Sequence, residues 1–496
     1  MLFNSYIFIF IFLPLVLSGW YTLNHFKAYK LSLIFLSGMS LWFYAYFNLK
    51  YLLIITASCI VNYILSLLMN KCARLRIFCC ISGVIFNLGL LFYYKYYDFF
   101  IDNINIVFGK DYSLKNIILP LGISFFTFQQ LSYVIDRYKG LAKHYSFVEY
   151  LAYITFFPQL VAGPIVMYDE LLPQFNDVDR RSFCAENFVK GLCIFSIGLS
   201  KKVLLADVLG NLVNIGYAEY ELMDSFTSVL VVILYACELY FDFSGYSDMA
   251  VGLGRMFNIE LPKNFISPYK QSSMKKMWQN WHITLSRFLF RYIYIPLGGN
   301  RKGTLRTYIN IFVVFFVSGL WHGANWTFVI WGILQGIAVI WNNIGLIGTY
   351  EDGDKGKPVI VIPKLVGCCL TFAYYALTLV FFRSDNISTA IRIFKNIIRF
   401  NYTGYFIKFI NQFDIPEIYI IKQAVNMVAP GSINIVLGII VLGFALFVLF
   451  LLTRRNTFEL LDKYKTKTAF YIGCALLMTW SIISFSQVST FIYFNF

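Results

Sequence analysis

The sequence predicts an all-α polytopic membrane protein with about 10–13 transmembrane helices, each needing about 18–25 apolar residues. Three observations carry this. Of the 496 residues 59% are hydrophobic and only 14% charged, with a mean hydropathy of +0.65. Soluble domains run about 45–50% apolar and about 25% charged, so the apolar excess needs lipid as its solvent. The apolar residues gather in a dozen runs of spanning length, and the basic residues fall in short clusters between them.

Taken in order, the runs are 5–23, 31–48, 51–69, 77–97, 147–168, 188–209, 226–250, 307–324, 326–345, 360–382, 432–453 and 468–487. Two further segments are ambiguous. Segment 117–135 is broken by Pro120, Gly122 and the pair Gln129-Gln130, and 279–297 carries His282, Thr284, Ser286, Arg287 and Arg291. Broken, polar backbone at membrane depth is tolerated only inside the protein or along a cavity, so each reads as a further span or a re-entrant piece. The start has no basic n-region or small-residue cleavage site, and the first run reads as a retained span. Lys27 and Lys30 place the first loop inside; Arg454, Arg455, Lys463, Lys465 and Lys467 do the same for 454–467. Both chain ends are then outside, which requires an even number of crossings. The polar stretch 383–431 is expected as one extracytoplasmic segment with a surface helix over 387–400, and 351–358 as a turn-rich loop. With no repeat and no soluble domain in view, residues 1–496 are expected to form a single transmembrane domain. Its core motifs lie within 117–345, and its extracytoplasmic tail is 488–496.

Net charge is +15, with a pI near 9.2. The clusters at 71–76, 275–276, 301–306, 454–455 and 463–467 have the placement of cytoplasmic loops. No nucleic-acid partner is expected, whereas an anionic donor at the cytoplasmic face suits them. Cys59, Cys79, Cys80, Cys193, Cys237, Cys368, Cys369 and Cys474 lie in apolar runs as small hydrophobes, and no CxxC pair occurs. Four histidines without HExxH spacing or a Cys/His cluster give no expected metal site. A G-x-S-x-G elbow is also missing.

Polar groups inside spans are costly and point to function. Glu238 and Asp242 share one helix face and repel each other, which fits either a buried ion-pair network or a substrate path; Arg255 falls seven beyond Asp248, roughly on its face. Trp278, His282 and Ser286, with Trp281 and two amides between, recur at i, i+4 and i+8 as one polar-aromatic face, which an interfacial tryptophan belt would also produce. His322 lies about 24 Å of helix beyond Arg306, deep and towards the outer side. Gly319 and Gly323 beside it allow close helix approach. A neutral imidazole there could take a hydroxyl proton, with Asn325 orienting it or donating to an oxyanion; a packing histidine fits the same pattern. Gly298-Gly-Asn-Arg301-Lys302-Gly303-Thr304 could hold a phosphate through backbone N–H groups and two cations, or be a plain basic turn. The tail Phe491-Ile-Tyr493-Phe-Asn495-Phe496 reads as an aromatic anchor that also carries one phenol nucleophile. His25 and His144 sit beside basic residues in loops and read as solvated.

Four of these stretches occur in a fixed order: Tyr240-Phe-Asp-Phe-Ser-Gly-Tyr-Ser-Asp-Met-Ala250, Trp278-x-x-Trp-His-Ile-Thr-Leu-Ser286, Tyr294-Ile-Pro-Leu-Gly-Gly-Asn-Arg-Lys-Gly303 and Gly319-Leu-Trp-His-Gly-Ala-Asn-Trp326. Together they resemble the membrane-bound O-acyltransferase family, and most nearly its bacterial branch of alginate and peptidoglycan O-acetyltransferases and the teichoic-acid D-alanyl transferase. The likeness runs from Leu2-Phe-Asn-Ser-Tyr6 through Leu119-Pro-Leu-Gly-Ile-Ser124 and Phe157-Pro-Gln-Leu-Val-Ala-Gly-Pro164 to the tail.

That resemblance implies a ring of spans around a thin centre, with a tunnel from a cytoplasmic donor to an outside acceptor in a bacterial inner membrane. His322 matches the family's membrane histidine and His282 its second; the implied roles are general base for His322 and donor orientation for His282. Arg301 and Lys302 would meet the phosphates of the donor, acetyl-CoA, with Trp278, Trp281, Asn325 and Asp242 along the path and no tightly bound cofactor. The tail is similar to an F-I-Y-F-Q-F ending in which the tyrosine carries acyl, with Asn495 in place of Gln. Tyr493 would pass acetyl to an extracytoplasmic, serine esterase-like partner acetyltransferase acting on a polysaccharide. The tail being part of this chain argues for acetyl over D-alanyl. A transporter or channel is the rival class, weakened by the absence of an inverted repeat.

Overall fold

The computed structural model describes residues 1–70, 72–349, 358–413, 415–485 and 491–492. They are almost entirely helical; the only strands among them are Ile347–Gly348 and Ile360–Val361, a two-residue parallel pair. Among the described residues eight helices are long and apolar enough to cross a membrane: Phe8–His25, Leu49–Leu68, Ala73–Phe108, Ser225–Met256, Thr304–His322, Trp326–Ile344, Lys364–Arg383 and Ile433–Leu452. Tyr29–Ala45, Ile123–Lys139 and Thr468–Ile483 are shorter helices on three other apolar segments of the sequence. The chain is a multi-pass membrane protein.

Two compact units organise it. One comprises Met1–Leu199, Tyr246–Asn264 and Leu461–Phe496; the other comprises Ser200–Gly245 and Phe265–Leu460. In the first, Ile123–Lys139 is a single helix bounded by Gly122 and Gly140, both left-handed, with every residue through Val134 buried. Gln130 Oε1 accepts there from Asn62 Nδ2 at 2.5 Å and Ser58 Oγ at 3.2 Å, a polar clamp of the kind that holds helices together in lipid. The expected span 147–168 is a correction. It forms only Phe147–Thr155 and the one-turn Phe157–Leu160, separated at Phe156 and followed by an irregular stretch. At about 1.5 Å per residue neither piece can cross a bilayer. Its hydrophobicity comes from burial inside the protein, since residues 152–168 are all buried.

In the second unit, Trp326–Ile344 packs against both Thr304–His322 and Lys364–Arg383. The first of these contacts is set by glycine: a Cβ on Gly319 would lie 2.5 Å from the Phe328 carbonyl oxygen, and one on Gly332 2.5 Å from that of Phe315. The expected surface helix is Ile387–Ile398, capped by Asn386, with Thr389, Ala390, Ile393 and Asn396 on its buried face.

Candidate active site

The helix Thr304–His322 ends on the histidine itself, and Gly323 turns the chain out in extended backbone. Asn325 then caps the next helix: its Oδ1 accepts from Thr327 N–H at 3.0 Å and its Nδ2 donates to the Asp385 carbonyl at 2.8 Å. This ties the segment after His322 to the end of Lys364–Arg383. Both ends of the Asn325 amide are thereby bonded to backbone. His322 is 3% exposed and enclosed by rings: Trp321 at 4.9 Å, Trp331 at 5.0 Å and Phe382 at 5.2 Å between centroids.

His282 arrives differently. The single face proposed for Trp278, His282 and Ser286 is not formed, because the helix stops at Asn280 and a new one begins at Ile283. Trp281 is extended between them, and His282 sits in the left-handed region at φ 43°. A non-glycine residue there costs of order 1–3 kcal/mol, and such residues cluster at functional sites. The break re-aims the imidazole, which is 1% exposed, 4.7 Å from the Phe243 ring and 6.0 Å from Trp321. The Trp321 indole therefore touches both imidazoles, joining two histidines that are 40 residues apart.

The tryptophans line the same region. Trp278 Nε1 donates to Gln335 Oε1 at 3.3 Å, and Gln335 Nε2 donates to Thr378 Oγ1 at 2.7 Å. Its ring meets Trp331 at 5.8 Å and Phe315 at 5.1 Å. Trp281 stacks on Tyr269 at 5.8 Å and meets Tyr375 at 5.3 Å. These are neutral, ring-lined surroundings of low dielectric, in which a hydrogen bond to a developing charge is stronger than in water.

The remaining candidate residues have other surroundings. Arg301 and Lys302 are exposed in the turn before Thr304, at the opposite end of the helix from His322. The turn has three left-handed glycines, Gly298, Gly299 and Gly303; the Lys302 alkyl chain folds over Gly298, and Asn310 Nδ2 bonds the Gly299 carbonyl at 2.8 Å. Asp242 does share a helix with Glu238, but it is paired: Lys202 Nζ lies 2.6 Å from Asp242 Oδ1 and 2.7 Å from Asp207 Oδ1. Glu238 rests against Gly210. Arg255 pairs with Glu260, five residues on. Tyr493 and Asn495 lie outside the described residues; Phe491 is buried, its ring 4.2 Å from that of Tyr246.

Sequence reasoning missed Trp331, Phe382, Gln335 and Lys202. Gln335 and Lys202 carried a signal, each being polar within an apolar run. Trp331 and Phe382 carried none, since aromatic residues are common throughout.

The chain matches the profile of the membrane-bound O-acyltransferase family over residues 123–345, which contain both histidines and the Trp321 between them. It is 39% identical to the peptidoglycan O-acetyltransferase of Helicobacter pylori, over 81% of this chain and 80% of that protein. It is 36% identical to the protein named probable alginate O-acetylase in Pseudomonas aeruginosa, over 81% and 75%. The teichoic acid D-alanyltransferase of Streptococcus thermophilus is 27% identical over 46% of this chain and 57% of its own length. With the histidine pair inside the matched region and relatives similar across four-fifths of its length, the chain belongs to the membrane-bound O-acyltransferase family and is an acyltransferase.

Proposed function

We propose that the protein is an O-acetyltransferase of a bacterial inner membrane, moving acetyl from cytoplasmic acetyl-CoA to a polysaccharide outside, alginate or peptidoglycan-like. The observation that carries this reading is the pair of buried imidazoles on one indole. His322 accepts the proton of the incoming hydroxyl as its oxygen attacks the thioester carbonyl. The C–S bond breaks as the ester C–O bond forms, and the imidazolium returns the proton to the leaving thiolate. His282, fixed by its backbone break, orients the donor, while the exposed Arg301 and Lys302 meet its phosphates. Trp278 and Trp281 wall the path and exclude water. Tyr493 receives the acetyl before an extracytoplasmic, serine esterase-like partner takes it. Acetyl is favoured over D-alanyl because the relatives named for acetyl transfer match far more of the chain. Membership in an acyltransferase family favours this reading over a transporter.

Radiolabelled acetyl-CoA supplied to membranes containing the protein tests it. Labelled glycan should form, and His322→Ala should lower the rate by about 10²–10⁴-fold, the usual contribution of a general base. A normal rate in well-expressed His322→Ala protein overturns the mechanism.

A further inference from the structure

Trp331, on the helix Trp326–Ile344, is 1% exposed, and its ring packs against those of His322 at 5.0 Å, Phe382 at 5.0 Å and Trp278 at 5.8 Å. Its plane stands at 89° to that of the His322 imidazole, so one ring meets the other edge on. An indole N–H is a donor only, and among the described residues no acceptor is bonded to the buried Trp331 Nε1. The neighbouring Trp278 shows the ordinary arrangement, its Nε1 donating to Gln335 Oε1 at 3.3 Å. Gln335 is four residues beyond Trp331, on the same helix face. Yet it serves Trp278 and, through Nε2, Thr378 Oγ1 at 2.7 Å. Buried polar groups are nearly always bonded, and a buried donor left without an acceptor is costly.

The donor is also fixed in place. The next residue, Gly332, brings this helix onto the backbone of Thr304–His322: a Cβ there would lie 2.5 Å from the Phe315 carbonyl oxygen and 2.9 Å from Gly319 Cα. Trp331 is therefore carried on a helix packed directly against the one that ends in His322. In the low-dielectric, ring-lined surroundings already described, a fixed donor bonds a developing negative charge more strongly than water does.

We infer that the Trp331 N–H donates a hydrogen bond to the carbonyl oxygen of the acyl thioester as that oxygen becomes an oxyanion. The inference rests on the reading above, in which His322 takes the hydroxyl proton. Of the groups that reach His322 in that reaction, the attacking hydroxyl gives its proton to the imidazole, and the leaving sulfur is a weak acceptor. The carbonyl oxygen is the strong acceptor, and it is the atom that gains charge. As the hydroxyl oxygen bonds to the carbonyl carbon, the C=O π pair moves onto this oxygen, where the indole N–H holds it. When the pair returns, the C–S bond breaks, and the thiolate takes the proton from the imidazolium. Trp331 then acts on the reacting atoms and is more than a wall of the site.

The test removes the N–H and keeps the ring. Benzothienylalanine, placed at position 331 of the full chain by amber suppression, has sulfur where the indole has N–H and keeps its shape; Trp331→Phe is its simpler companion. In membranes supplied with radiolabelled acetyl-CoA, kcat should fall by about 10²–10³-fold, the usual loss for one oxyanion donor. The KM for acetyl-CoA should hardly change, because the bond matters in the transition state. A second readout does not depend on rate. In His322→Ala protein, which leaves the thioester intact, the infrared band of bound acetyl-CoA, isotope-labelled at the carbonyl carbon, should move to higher frequency when the sulfur analogue replaces Trp331. Trp20 is the control: its buried Nε1 also has no acceptor among the described residues, but its ring meets Phe257 and Arg181, and Trp20→Phe should transfer at a near-normal rate. A normal kcat with the sulfur analogue, a rise in KM alone, an unmoved band or an equal loss in Trp20→Phe overturns the inference and leaves the functional reading standing. If wild-type membranes transfer no acetyl from acetyl-CoA, the functional reading itself falls and takes the inference with it.

Discussion

Replacing Gly332 with alanine tests whether close helix packing sets the histidine geometry. The new Cβ would lie 2.5 Å from the Phe315 carbonyl oxygen and 2.9 Å from Gly319 Cα, both backbone atoms that cannot rotate away. Ordinary contacts need about 3.5 Å, so the helices Thr304–His322 and Trp326–Ile344 must part by about 1 Å. Trp331, the preceding residue, packs 5.0 Å from His322 and 5.8 Å from Trp278, so the separation shifts the wall of the site. Overpacking of this kind costs about 1–3 kcal/mol, and a 1 Å displacement near the chemistry costs about 10²-fold in rate. Gly336→Ala, one turn on, is the control: its nearest contact is the Phe315 Cβ at 3.2 Å and the nearest backbone atom is 3.6 Å away. Acetyl transfer and melting temperature in nanodiscs should fall for Gly332→Ala and change by less than about threefold for Gly336→Ala. Equal rates and equal melting of the two variants would refute the argument that the glycine contact holds the site.

Two shorter predictions follow. Tyr493→Phe keeps the apolar ring of the tail and removes its oxygen; insertion and partner binding should persist, while delivery of acetyl to the polymer should stop and no acetylated C-terminal peptide should appear by mass spectrometry. In the second unit, the hydrogen bond from Lys408, then those from Tyr405 and Gln412, hold the Glu219 carboxyl below its ordinary value of 4.5. A depressed carboxyl stabilises above its unfolded value and loses that contribution as pH falls through the folded one. Protection factors over Tyr405–Gln412, which correct for the intrinsic slowing of amide exchange in acid, should therefore fall below pH 4.5 in wild type, and be lowered already at neutral pH in Glu219→Gln, with no acid transition.

The helical class and nearly every span were legible because lipid imposes length and hydropathy directly on the sequence. The failure at 147–168 has a physical origin: apolarity measures removal from water, and a buried irregular segment is as dry as a lipid-facing helix. His322 was legible as a polar residue in a regular apolar helix, and that helix forms and ends on it. The Trp278–His282–Ser286 face was not, because the period argument assumed an unbroken helix, and the break at Trp281 and His282 carries no glycine or proline to mark it. That two histidines share one indole depends on tertiary packing, which no local spacing encodes.

The charges around Asp242 separate a structural role from a role on the substrate path. Lys202 lies between Asp207 and Asp242, with all three side chains at most 12% exposed. Removing a lone partner from a buried pair costs about 3–5 kcal/mol, and Lys202→Met would strand two carboxylates together with Glu238 one turn away on the Asp242 helix. That variant should insert poorly or melt far below wild type. Asp242→Asn is different: it leaves Lys202 paired with Asp207 and keeps a hydrogen-bonding amide in place. If Asp242 serves the network alone, Asp242→Asn should retain most stability and transfer within about tenfold, a level at which one charge-assisted bond is lost. A stable Asp242→Asn protein with transfer reduced to the level of His322→Ala would place the carboxylate on the donor path instead, because loss of a packing charge cannot remove catalysis while leaving the fold unchanged.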